Sequence, residues 1–144
     1  MTVGQIDRST AWLAGIALVA VVAIGALATV GLGGSVDFVD EVTRETTVRS
    51  VLDVPPMIGK EGGPTLVRAI YENDSAGKKL VYLQRYDEAA KNCLERWNAG
   101  KERPSPAGLT NIEEGQLVRG VGKGSAWVRA DSEDGVRVIT GKAQ

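Results

Sequence analysis

Thr65–Tyr86 reads TLVRAIYENDSAGKKLVYLQRY, two runs rich in β-branched, leucine and aromatic residues on either side of a polar segment. Such runs fit a pleated, half-buried surface, whereas Asn, Asp, Ser and Gly accept the tight backbone of a turn, so the stretch predicts a β-hairpin. Its expected strands are Thr65–Glu72 and Lys79–Tyr86, joined through Asn73–Lys78. Strand alternation places Val67, Ala69 and Tyr71 on one face of the first strand, and Leu80 and Tyr82 on one face of the second. Leu66, Ile70, Val81 and Leu83 occupy the other faces, so both sides of the hairpin are expected to be partly covered. Asn73-Asp74-Ser75 matches a glycosylation acceptor, but its composition is that of a turn.

Immediately downstream, Asp87–Asn98 has the period of an amphipathic helix. Ala89, Ala90, Cys93, Leu94 and Trp97 share one face, and Glu88, Lys91, Asn92, Glu95 and Arg96 the other. Asp87 suits the N-cap and Gly100 the C′ position. Cys93 is thereby directed to the core, with nothing on that face to stabilise a thiolate. Lys101–Thr110, KERPSPAGLT, reads as a linker because of its two prolines. A second hairpin is expected from Gln116–Val121 and Ala126–Ala130 around a turn at Gly122–Ser125, with Trp127 as its anchor. Ser132–Thr140 is ambiguous: Ser132, Glu133 and Asp134 resemble a helix start, but VRVIT from Val136 favours a strand, and the strand is the expectation.

Upstream, Gly59–Pro64 is a loop by composition. Residues 34–64 read as a juxtamembrane stalk: Val36–Asp53 is rich in Val and Thr and extended, with an option to add a strand, and Pro55-Pro56 enforces a bend. Before it, Ala11–Gly33, AWLAGIALVAVVAIGALATVGLG, lies within a run from Ser9 to Val36 that has no charged residue. As a helix it would be about 35 Å long, enough for the roughly 30 Å of a bilayer's hydrocarbon core. Trp12 at its start suits an interface. The expected organisation is a tail at 1–10, a transmembrane helix at 11–33, the stalk at 34–64 and a small α+β domain at 65–144, built of two β-hairpins and one amphipathic helix.

Within the apolar run, small residues recur every third position from Ala11 to Thr29, and Gly25, Thr29 and Gly33 form a small-xxx-small row. Such rows let helix backbones approach closely, so these three are the candidate helix-packing residues. Basic residues around the run are few, with Arg8 before it and Arg44 and Arg49 after it. Arg44 and Arg49 weaken the positive-inside signal, and the acidic SVDFVDEV exit ahead of them leads to the expectation of a cytoplasmic N-terminus and an extracytoplasmic domain.

Composition excludes several chemistries. The chain of 144 residues carries a net charge of −1, one cysteine and no histidine. Intramolecular disulfides, histidine-dependent catalysis, c-type haem attachment and the common Cys/His zinc sites are therefore ruled out. The mixed charges form no nucleic-acid footprint. Gly120–Ser125, GVGKGS, invites a phosphate-loop reading but fails its spacing, because Leu117 stands where the first glycine belongs and Gly124 follows Lys123. The dinucleotide fingerprint fails at Ser125. Glu113-Glu114 and Asp131, Glu133 and Asp134 read as solvated carboxylates without a calcium-loop spacing. Tyr71, Tyr82, Tyr86, Trp97 and Trp127 are expected mainly in the core. No catalytic, cofactor-binding or metal site is expected.

The expectation for function is a non-catalytic, single-pass accessory subunit of a larger bacterial membrane-protein complex, in contact with integral membrane proteins and lipid. Three alternatives share the sequence. An exported soluble binding module would follow from cleavage at the small residues Ala26-Leu27-Ala28. In outline, an apolar N-terminal helix carrying a β-rich domain resembles type IV pilin-like filament subunits, but the Gly-Phe or Gly-Met processing site and early glutamate are missing, so no residue role carries over. A tethered enzyme using Glu113, Asp131 or Lys123 would require a pocket that gathers them.

Overall fold

The structure, a computed structural model, describes residues 34–141. Nine elements follow in order: β1 (Ser35–Asp40), β2 (Thr46–Ser50), β3 (Leu66–Asp74), β4 (Gly77–Tyr86), α1 (Glu88–Asn98), α2 (Pro106–Gly115), β5 (Gln116–Gly120), β6 (Val128–Arg129) and α3 (Glu133–Ile139). The strands form one six-stranded sheet in the order β2-β1-β3-β4-β5-β6, antiparallel throughout. The class is α+β, as the hairpin patterns require. Among the described residues no helix is long and apolar enough to cross a membrane. Ala11–Gly33, with Gly25, Thr29 and Gly33, lies outside them.

The central hairpin forms where the sequence places it, with strands that run to a two-residue turn at Ser75 and Ala76. The Asp74 carboxylate accepts the Ala76 amide at 2.8 Å, and Gly77 takes φ 119°. A β-bulge changes one detail. Ile70 pairs with Tyr82 but Tyr71 with Leu80, so Val81 is an extra residue and Leu80 and Tyr82 end on opposite faces.

Register then sorts the side chains. Phe38, Arg68, Gln84, Val118 and Val128 stand in one row across five strands. All three helices cover this face. Tyr86 packs with Ala90, Cys93, Leu94 and Trp97 of α1 and Ile112 of α2, while Tyr82, Val118 and Ala130 pack with Val138 and Ile139 of α3. The segment after β2 crosses the same face, since Val54 joins the α1 cluster and Arg68 donates to the carbonyls of Val51 and Asp53. Cys93 is buried, and burial pushes its thiol up from the ordinary range.

Three expectations from the sequence change. Residues 35–50 form two strands of the sheet, where a stalk with at most one added strand was expected: Phe38 is fully buried and needs the pairing of β1 with β3. The linker at Lys101–Thr110 gives way to α2 from Pro106, because Ser105 accepts the Gly108 amide as N-cap and proline at the first helical position loses no hydrogen bond. Gly108 lets α2 close on α1, since a Cβ there would collide with the Trp97 ring. Ser132–Thr140 is the helix α3, not a strand: Ser132 caps the Gly135 amide at 3.0 Å, and Glu133 and Asp134 stand in the first turn, favoured by the helix dipole. The domain therefore holds three helices where one was expected.

Candidate functional site

The opposite face of the sheet carries no helix of the described residues. Val67, Ala69 and Leu83 form its buried centre, with Val39, Tyr71, Leu80 and Trp127 partly buried around them. Two connections rise at its borders.

The first is the β1–β2 turn. Asp40 ends β1 with its side chain turned into the connection, where Oδ1 accepts the amides of Val42 (2.9 Å) and Thr43 (3.3 Å) and Oδ2 accepts that of Lys60 (3.1 Å). The Val42 amide above all, joined by those of Lys60 and Thr43 and opposed by burial, holds this carboxyl below the usual range. Backbone bonds from Asp40 to Glu45 and from Arg44 to Asp40 close the turn. Closure places Arg44 at φ 65°, the left-handed region that glycine occupies at no steric cost.

The second connection is Val121–Trp127. Gly124 takes φ 81°, and the Ser125 amide and hydroxyl both donate to the Gly122 carbonyl, at 3.2 and 2.7 Å. The strand β6 follows it instead of a helix, so the topology of a phosphate loop is absent here as well as its spacing. Trp127 lies back on the open face, with the guanidinium groups of Arg85 and Arg119 at 4.3 and 5.1 Å from its ring centroid. Burial lowers the Arg85 pKa, Glu41 opposes this, and Arg119 adds to it as a like charge.

Between the two connections lies a cleft of about 460 Å³. Val39, Leu80 and Leu83 give it an apolar floor; Arg44 stands on one bank, and Arg119, Lys123 and the glycines of the loop on the other. Among the described residues no carboxylate, thiol or phenol lines it. Arg119 donates to Glu41 at 2.7 Å, whereas Arg44 and Lys123 take part in no ion pair among the described residues. Cations, a serine hydroxyl and an apolar floor can bind an anion with an apolar portion.

The carboxylates singled out in the sequence lie elsewhere. Asp131 pairs with Arg129 at 2.6 Å, and Glu133 and Asp134 with Arg137 at 2.6 and 3.4 Å. Glu113 and Glu114 sit on α2. Among the described residues no group of three or more potential metal ligands forms. Only Lys123 of the three candidates for a tethered enzyme enters the cleft. Arg44 and Arg119 escape sequence reasoning because strand order alone brings them to one place; Lys123 could be found, since the glycine-rich run drew attention to it. Tyr82, Tyr86 and Trp97 are buried as expected, while Trp127 lies on the helix-free face. The chain matches no protein-family model, no curated protein and no solved structure.

Proposed function

We propose that the chain is a non-catalytic accessory subunit of a larger bacterial membrane-protein complex, anchored by Ala11–Gly33 with its N-terminus cytoplasmic and its domain extracytoplasmic. The observation that carries this reading is the uncharged run from Ser9 to Val36, long enough for a bilayer and carrying the Gly25, Thr29 and Gly33 row. The helix-free face supports it by offering the domain a second contact surface, and the cleft's side chains by suiting binding more than turnover.

Leucine at Gly25 or Gly33 tests the reading. Each added side chain would hold neighbouring helices apart while keeping the run apolar. Membrane insertion is therefore expected to persist, whereas co-extraction of integral membrane partners in mild detergent is expected to fall by about tenfold, a loss of about 1.4 kcal/mol. Unchanged recovery of the same partners with both substitutions would contradict the packing role of this row.

A further inference from the structure

Taking the chain as a subunit that docks on other proteins, we infer that the cleft on the helix-free face holds an extended acidic segment of a partner protein. One carboxylate of that segment faces Arg44 and another faces Lys123 on the opposite bank, and an apolar side chain between them rests on Val39, Leu80 and Leu83. Charge is the first argument. The whole chain is at −1, yet this cleft is lined by three cations and no acid, and Glu41 neutralises only Arg119.

Shape is the second. The strands β3 and β4 lie between β1 and β5, so the two banks are set about 14 Å apart by ordinary strand spacing. A single small anion would meet one bank. An extended peptide crosses both, and its two-residue alternation turns acids towards the banks and apolar side chains to the floor. The volume of about 460 Å³ lies within the roughly 300–1,000 Å³ of ordinary ligand sites.

Position 44 is the third. Asp40 and the backbone close the β1–β2 turn without help from the Arg44 side chain, and a φ of 65° suits glycine better. A long cation stands where glycine would take the backbone without strain, and such backbone outliers gather at binding sites. A bilayer is the less suitable source of the anion. Arg44 lies beyond the far end of the six-residue β1, about 20 Å from the chain's entry into the domain at Gly34.

The test uses the full chain in neutral detergent and a short dye-labelled peptide alternating glutamate and leucine, read by fluorescence anisotropy. Saturable binding is expected, weakening as added salt shortens the Debye length. Arg44→Gly and Lys123→Gln are each expected to weaken it by about tenfold, Arg44→Lys to retain most of it, and Glu41→Gln to tighten it by freeing Arg119. Because glycine takes the left-handed conformation freely, Arg44→Gly leaves the urea midpoint unchanged or higher, so lost binding is not lost folding. Three results overturn the inference: no saturable binding to the folded wild-type chain, equal binding by Arg44→Gly, or binding to phosphatidylglycerol vesicles in place of the peptide. Absent peptide binding with intact co-extraction of membrane partners rejects the cleft alone; peptide binding by a chain that extracts without partners rejects the subunit reading alone.

Discussion

Truncating Phe38 to alanine is expected to cost about 3–5 kcal/mol of folding stability, the range for removing a fully buried aromatic ring. The ring has no solvent exposure and stands in the row that runs across the sheet to Arg68, whose guanidinium lies 5.8 Å from its centroid. Its loss would leave a cavity under the segment that follows β2 and deprive Arg68 of its aromatic contact. Against a typical total of about 5–15 kcal/mol, that is a large fraction. Urea denaturation of the full chain in neutral detergent, followed by tryptophan fluorescence, measures it. On the adjoining strand, Val48 is 65% exposed, and Val48→Ala is expected to change stability by no more than about 0.5 kcal/mol. Equal midpoints for the two variants would mean that β1 is not an integral strand of the sheet.

Arg68 is the second sensitive position, and the replacement chosen decides the sign of the lesson. It is buried and forms no ion pair among the described residues; Nη2 donates to the carbonyls of Asp53 (3.1 Å) and Val51 (3.4 Å), and Nη1 to Gln84 Oε1 at 3.4 Å. Burial pulls its pKa below the arginine value, with Tyr86 opposing. Alanine would remove both the donors and the packed aliphatic stem, leaving acceptors unpaired above a cavity, at an expected cost of about 3 kcal/mol or more. Methionine would refill most of the volume and remove the desolvation of a charge, so Arg68→Met is expected to stay within about 1.5 kcal/mol of wild type. The same denaturation measurement compares them. Equal damage from both would show that the guanidinium's hydrogen bonds outweigh its volume.

What sequence reasoning could read follows from how local the deciding interactions are. Glu88–Asn98 was legible because period, N-cap and C′ glycine agree: Asp87 accepts the Ala90 amide at 2.9 Å and Gly100 takes φ 69°. At α3 the signals conflict. Val136, Val138 and Ile139 have strand propensity, and the Ser132 cap with tertiary packing on Tyr82 and Val118 overrides it. Pro106 reads as a breaker when its position relative to Ser105 is ignored. The bulge at Val81 was invisible, because alternation carries no record of an inserted residue until the partner strand is known. The cleft was legible only as a glycine-rich loop with one lysine; its other bank comes from the first hairpin of the sheet.

The subunit reading is tested most directly by native mass spectrometry of the membrane fraction after mild detergent extraction. It yields the mass of the chain and of whatever accompanies it. The account predicts a chain retaining Ala11–Gly33, accompanied by integral membrane proteins at fixed stoichiometry. A shortened chain beginning near Thr29 and recovered in the soluble fraction, or an intact chain that extracts alone, would contradict it.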